Sequence, residues 1–267
     1  MTNENTQPLL SVKDLRVSFH SQGLTKEAVK GISFSINQAE RFALVGESGS
    51  GKSVTCASIL GLLPTNARVS GQMVFEQNTI DLSDQDSDFI KQARGKKIAY
   101  VPQNPVTSLN PVRTVYSQML ETAQIYFPSK TEDELKNICL NSLEDVQMDD
   151  CERVFAAYPF ELSGGMCQRV MIAMALVGEP KLLLADEPTT ALDVTIQAEI
   201  MSLLIEATKK RNLSMLLITH DLALVAQSCT RLAVIKDGEL CEEGQVKALY
   251  SDPQHPYTNQ LLEAVKL

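Results

Sequence analysis

The segment that most constrains the fold of this 267-residue chain is the run GESGSGKS, from Gly46 to Ser53. It follows the apolar burst RFALV and precedes a stretch that we expect to be helical up to about Pro64. The pattern GxxxxGK[ST] between a strand and a helix is typical of a phosphate-binding loop (P-loop). Its glycines let backbone N–H groups face phosphate oxygens, and the positive end of the helix adds to the attraction. The residues predicted to bind nucleotide are Gly46, Glu47, Ser48, Gly49, Ser50, Gly51, Lys52 and Ser53.

Within this loop, two side chains have specific predicted roles. Lys52 is expected to reach the β- and γ-phosphates, and the hydroxyl of Ser53 is expected to bind Mg²⁺. A different segment, which is acidic, supports the same chemistry. The apolar run KLLLADE ends in the two carboxylates of Asp186 and Glu187. We assign Asp186 to the metal and Glu187 to an attacking water. Taken alone, this pair could equally be an acidic turn at a strand end, and it is the P-loop upstream that favours the functional interpretation.

Composition limits the class of protein. The length corresponds to about two domains, or to one large α/β domain with an insertion. The net charge of −9 disfavours a nucleic-acid partner, which would require basic surface. The apolar run at 170–177 is far shorter than the roughly 20 residues of a membrane-spanning helix, and the first ten residues lack the pattern of a secretory signal. The six cysteines form no CxxC pair, so we expect free thiols in a reducing compartment.

The hydropathy pattern predicts an α/β protein with an insertion. Residues 10–19 and 29–36 alternate apolar and polar side chains, as half-buried antiparallel strands do. The bursts RFALVG, KIAYVPQ, KLLLADEP and SMLLITH indicate buried parallel strands that end in polar residues. Residues 104–165 are acidic and helix-like, with a helix expected at 131–143. After His220 we expect a helix, a strand pair turning at Asp237-Gly238, and a terminal helix.

A second anion site is predicted at Ser163, Gly164 and Gly165, just before the apolar helix at 170–177. Ser163 is a favourable N-cap, and the two glycines expose N–H groups at a helix start. The surrounding sequence LSGGMCQR resembles the signature motif of the ATP-binding subunits of ABC transporters. Met166 stands where that motif usually has glutamine, and Cys167 follows it. This departure leaves Ser163 and both glycines intact.

The resemblance extends over nearly the whole chain and implies the family's fold. That fold is a P-loop NTPase (RecA-like) core of α/β class, with an antiparallel β subdomain and an inserted α-helical subdomain. It would place the core at 1–103 and 166–250, the helical subdomain at 104–165, and a short C-terminal HPY-type element at 251–267.

Further residues acquire roles from the resemblance. Gln103 matches the glutamine that contacts Mg²⁺ and the attacking water, and His220 matches the histidine that contacts the γ-phosphate. Ala191-Leu192-Asp193 matches a loop at the family's dimer interface. Phe19 falls where the family stacks an aromatic ring on adenine, although a phenylalanine in an alternating strand is often a core residue. The resemblance thus implies ATP and Mg²⁺ as cofactors, with Glu187, His220 and Gln103 as catalytic residues and Ser53, Gln103 and Asp186 at the metal.

The implied partners are transmembrane permease subunits and a second ATPase subunit, with a solute-binding protein involved indirectly. Two ATPase subunits would pack head to tail with ATP between them, on the cytoplasmic face of the inner membrane. Peptide and nickel importers commonly use two different cassettes, so a paralogous partner is favoured over a second copy.

Local segments narrow the branch of the family. The runs QNPVTSLNP, YPFELSGGM and DPQHPYTNQLLEA resemble importers of oligopeptides, dipeptides and nickel. The nickel or metal-chelate subgroup looks closest, and a peptide importer is the alternative. A soluble ABC ATPase of DNA repair or translation is disfavoured by length and charge. A P-loop protein without turnover is disfavoured by Glu187 and His220.

Overall fold

The computed structural model describes residues 7–21, 23–190 and 192–265. The chain divides into two units: unit 1 comprises Met1–Arg94 and Ser214–Leu267, and unit 2 comprises Gly95–Leu213. Lys266 and Leu267 of the expected C-terminal element lie outside the described residues.

The first part of unit 1 contains an antiparallel sheet and the strand that leads into the P-loop. Its elements are β1 (Leu10–Ser21), β2 (Leu24–Ile36), β3 (Arg41–Val45), α1 (Lys52–Leu60), β4 (Ala67–Phe75), β5 (Asn78–Asp81) and α2 (Asp88–Ala93). The antiparallel sheet has the order β2-β1-β4-β5. A register shift between Val12 and Leu15 includes Asp14, whose φ is 47°. Because a bulge adds one residue to the strand, Val12, Leu15 and Val17 are all buried despite their uneven spacing.

Unit 2 is mainly helical. Its elements are β6 (Ile98–Val101), α3 (Pro105–Ser108), α4 (Val115–Tyr126), α5 (Glu132–Asp145), α6 (Cys151–Ala156), a 3-10 turn (Pro159–Glu161), α7 (Gly164–Leu176), β7 (Leu182–Asp186) and α8 (Val194–Arg211). Strands β6 and β7 pair in parallel. The helix expected at 131–143 is α5, and Thr131 and Glu134 form a capping box at its start.

The second part of unit 1 completes the parallel strands around β3. Its elements are β8 (Ser214–Thr219), α9 (Leu222–Ser228), β9 (Arg231–Lys236), β10 (Glu239–Gln245), α10 (Val246–Ser251) and α11 (Pro256–Val265). Both β8 and β9 pair in parallel with β3. The expected hairpin is confirmed: β9 and β10 are antiparallel, and Asp237 and Gly238 both have positive φ, at 48° and 85°.

Several expectations are confirmed and others were incomplete. The antiparallel strands at the start of the chain, the parallel bursts and the free state of all six cysteines agree with the structure. Strands β4 and β5 and helix α2 were not anticipated, and two helices rather than one follow β10. Among the described residues, none of the helices combines the length and apolar character needed to cross a membrane. The subdomain boundaries at 104–165 and 166–250 stay a prediction.

Candidate nucleotide-binding site

The P-loop of unit 1 connects a buried strand to a helix. Residues 42–45 of β3 are buried, and the loop that follows ends at Gly51, the N-cap of α1. Gly51 has φ of 106°, a conformation that side-chain-bearing residues rarely adopt. A Cβ atom at Gly46 would lie 2.1 Å from the carbonyl oxygen of Ile235 in β9. The loop therefore needs glycine at Gly51 for its turn and at Gly46 for close approach to a neighbouring strand.

The ammonium group of Lys52 lies against this loop. Its Nζ donates to the carbonyl oxygens of Gly46 and Glu47, both at 2.8 Å, and the residue is only 4% exposed. Ser53, the next residue, is exposed on the first turn of α1. The sequence thus folds the predicted phosphate ligands onto one short loop, with a buried positive charge at the loop and an accessible hydroxyl beside it.

The acidic strand end lies in unit 2. Asp186 is the last residue of β7 and is buried, and its Oδ2 accepts a hydrogen bond from the hydroxyl of Tyr100 at 3.1 Å. Tyr100 lies on the neighbouring strand β6. Sequence reasoning did not include Tyr100, because a tyrosine within an apolar burst gives no local sign of its polar partner.

Glu187 and Gln103 lie in contact, whereas their catalytic roles stay predictions. Gln103 Nε2 donates to Glu187 Oε2 at 3.1 Å, and the hydroxyl of Thr190 donates to the same oxygen at 2.9 Å. Glu187 has φ of 46°, in the left-handed region that is uncommon for a residue with a side chain. The Thr190 amide donates to the Glu187 carbonyl at 3.1 Å, which closes the turn. The carboxylate is therefore oriented by two donors on a tight turn.

The predicted second anion site is at the start of α7. Ser163 is its N-cap, and its side chain accepts from the Met166 amide at 3.3 Å. A Cβ at Gly165 would come 2.8 Å from Ile196 Cγ2, whereas one at Gly164 would make ordinary contact. Ser163 is exposed, so this helix start is open to a ligand or a partner chain.

The remaining sequence assignments fall on other elements of the two units. Ala191 lies outside the described residues, and Asp193 caps α8 by accepting from the Ile196 amide at 3.0 Å. His220 is exposed directly after β8 in unit 1. Phe19 is half-buried in β1, opposite Lys26 of β2 and Ala67 of β4. Its adenine role stays a prediction.

Fold and loop together define a nucleotide-binding protein of the P-loop class. The family model for ABC transporters matches residues 29–190 of the sequence. The chain belongs to the ABC transporter family.

Similar proteins cover most of the chain. It is 47% identical over 266 residues to the peptidoglycan transport ATP-binding protein YejF of Agrobacterium fabrum, which is 99% of this chain and 48% of that protein. The chain therefore spans about half the length of that relative. It is also 47% identical over 257 residues to the dipeptide transport ATP-binding protein DppD of Haemophilus influenzae, covering 96% of this chain and 77% of that protein.

A solved structure supports the fold. The ATP-binding cassette MJ0796, in a dimeric post-hydrolysis state bound to ADP and Pi, superimposes with a TM-score of 0.77 at 28% identity. The match covers 89% of this chain and 98% of that one. The expected fold class, an ABC ATPase cassette, is confirmed.

Proposed function

We propose that this cassette hydrolyses ATP to power an importer of peptides or peptide-like solutes. The observation that carries the proposal is the P-loop itself, in which the buried Lys52 ammonium and the left-handed Gly51 build an anion cradle at the start of α1. A helix start with inward-facing amides and a fixed cation stabilises phosphate oxygens.

The residues fit ATP and Mg²⁺. Mg²⁺ prefers oxygen ligands, and Ser53, Gln103 and Asp186 each offer one. The bound ion would neutralise charge on the phosphates during hydrolysis. Lys52 binds phosphate oxygens, Glu187 accepts a proton from the attacking water, and Gln103 orients that carboxylate through its 3.1 Å hydrogen bond. His220, and Phe19 against adenine, complete the proposed set with the glycines and serines of the P-loop.

The proposed working form is a dimer of two cassettes. The P-loop and the Ser163-Gly164-Gly165 segment each offer N–H donors, and neither alone encloses a γ-phosphate. We place the P-loop of one cassette opposite Ser163 of the other, so that ATP joins them and hydrolysis releases them. The partners are permease subunits and a paralogous ATPase, and the complex would hold this chain at the cytoplasmic face of the inner membrane.

The names of the relatives favour peptide-like cargo. DppD is named for dipeptide transport and YejF for peptidoglycan transport. The nickel or metal-chelate subgroup, favoured by the sequence around the P-loop and the signature segment, is the second candidate. A soluble ABC ATPase outside transport is supported by neither relative's name.

Calorimetry on the full chain tests the nucleotide site. Lys52→Ala should abolish binding at micromolar ATP, because the segment from Gly46 to Ser53 loses its one positively charged side chain. The matched control is Lys247→Ala, an exposed lysine of α10, which should bind ATP as the wild type does. Unchanged affinity in Lys52→Ala would mean that ATP binds elsewhere.

Reconstitution with permease subunits and a solute-binding protein tests the cargo. We expect ATPase activity to be stimulated by a binding protein loaded with dipeptides. Stimulation by a nickel chelate alone would contradict the peptide proposal and support the second candidate.

A further inference from the structure

A tyrosine near the C-terminal end of unit 1 contacts the P-loop. The hydroxyl oxygen of Tyr257, in α11, accepts a hydrogen bond from the Glu47 amide at 3.4 Å, across 210 residues of sequence. Tyr257 is only 4% exposed. Burial raises the pKa of this phenol, so it stays protonated at neutral pH. The P-loop is thus hydrogen-bonded to α11, a helix that contributes none of the proposed catalytic or nucleotide-binding residues.

Several contacts fix the position of the Tyr257 ring. Its own amide donates to His255 Nδ1 at 3.1 Å, and Lys236 Nζ lies 4.4 Å from the ring centroid. The Glu242 carboxylate of β10 accepts from the amides of Gln254 at 2.8 Å and His255 at 3.1 Å. The start of α11 is therefore tied to β10, and the phenol is held in place rather than free to rotate away.

The β9–β10 hairpin contacts the same loop from a different point. The Gly238 amide donates to the Ser50 carbonyl at 3.1 Å, and Gly46 lies too close to Ile235 for any side chain. The hairpin and α11 thus contact the loop at three successive points, Gly46, Glu47 and Ser50. The contact at Glu47 is a hydrogen bond to a side-chain hydroxyl, so it can be removed without altering a backbone.

We propose that Tyr257 is a positioning residue for nucleotide binding, through which α11 holds the first half of the P-loop in its binding conformation. The proposal rests on the proposed ATP site. Without the hydroxyl, the Glu47 amide loses its protein acceptor, and the loop must be ordered when nucleotide binds. That ordering cost weakens affinity. The chemical step uses other residues, so turnover at saturation should be retained.

The decisive variant is Tyr257→Phe, which removes one oxygen and keeps the buried ring. Because a single hydrogen bond of this length is weak, we expect the Kd for ATP and the KM to rise about two- to fivefold, with kcat within about twofold of wild type. The matched control is Tyr250→Phe. The hydroxyl of Tyr250, in α10, donates to the Leu222 carbonyl of α9 and not to the P-loop. This control should lower the Tm and leave the Kd for ATP unchanged.

A second variant keeps the proposal testable even if Tyr257→Phe fails to fold. Glu242→Gln keeps the phenol but weakens the tie at the start of α11, so it should also raise the Kd for ATP, by less than Tyr257→Phe does. Wild-type Kd values in folded Tyr257→Phe or in Glu242→Gln would overturn the proposal, and so would an equal rise in Tyr250→Phe. If the wild type itself fails to bind ATP, the proposed function is wrong instead.

Discussion

Gln103 Nε2 donates a hydrogen bond to Glu187 Oε2 at 3.1 Å, although 84 residues separate the two in sequence. The contact forms because β6 and β7 are parallel neighbours, with Val101 opposite Ala185. Their carboxyl ends therefore lie at one edge, where Gln103 and Glu187 follow within two residues. Thr190 donates to the same carboxylate oxygen. The two donors hold the Glu187 carboxylate in one orientation, which is what a general base needs in order to meet a bound water.

Glu187→Gln should keep ATP binding and lose turnover by at least about 10²-fold, the effect expected for a positioned base. Steady-state ATPase assays and calorimetry on the same preparation measure both quantities. Glu206→Gln, the same change at an exposed position on α8, should hydrolyse ATP at the wild-type rate. Wild-type turnover in Glu187→Gln would remove Glu187 from the mechanism.

Gln103→Met should lower the rate of hydrolysis at saturating ATP, because the Glu187 carboxylate then loses one of the two donors that orient it. Steady-state assays on the full chain measure kcat, and calorimetry on the same preparation checks that ATP still binds. Gln124→Met, the same change at an exposed position on α4, should hydrolyse ATP at the wild-type rate. An unchanged kcat in Gln103→Met would show that this hydrogen bond does not contribute to hydrolysis.

Ser163→Arg should block ATP-dependent association of cassettes. In the Glu187→Gln background, which retains ATP, this chain mixed with its paralogous partner should sediment as a dimer when ATP is added. An arginine at the exposed start of α7 would occupy the space proposed for the partner's phosphate. The matched control is Ser202→Arg, at an exposed position on α8. This variant should still associate with its partner when ATP is added. Full ATPase activity from a strictly monomeric chain would contradict the dimer mechanism.

Asp145→Asn should reduce stability at neutral pH. Asp145, the last residue of α5, pairs with Lys210 at 2.5 Å and Arg211 at 2.6 Å, both in the final turn of α8. Burial alone would raise the pKa of Asp145, but these two cations outweigh it and lower the pKa below the ordinary value. The carboxylate then stabilises the fold above its ordinary pKa, and this contribution is lost as pH falls through the lowered value.

Urea unfolding at pH 7 and near pH 3 checks this prediction. At pH 7 we expect the free energy of unfolding of Asp145→Asn to be lower than that of the wild type by about 1 kcal/mol or less, because the ion pairs are partly exposed. Near pH 3 the difference should be smaller. Asp149→Asn, an exposed carboxylate nearby, should match the wild type at both values. A difference that persists unchanged into acid would show that packing rather than charge is responsible.

The sequence by itself determined the features that depend on neighbouring residues. The P-loop is set by eight consecutive residues, because its geometry follows from glycine conformations and the strand and helix that flank it. The hairpin at Asp237-Gly238 likewise follows from two residues that tolerate positive φ. The buried strands were visible as apolar bursts, which gave the α/β class and the order of its parts.

The tertiary structure alone decided which distant residues meet. Contact of Gln103 with Glu187 needs the parallel pairing of β6 with β7, and contact of Tyr257 with Glu47 needs α11 to dock beside the P-loop. Strand β4 escaped prediction because only its last residues, Met73 and Phe75, are buried, so most of it carries little apolar pattern. Local composition reports propensity and burial, whereas register and docking are set by packing between segments far apart in the chain, which no short stretch of sequence encodes.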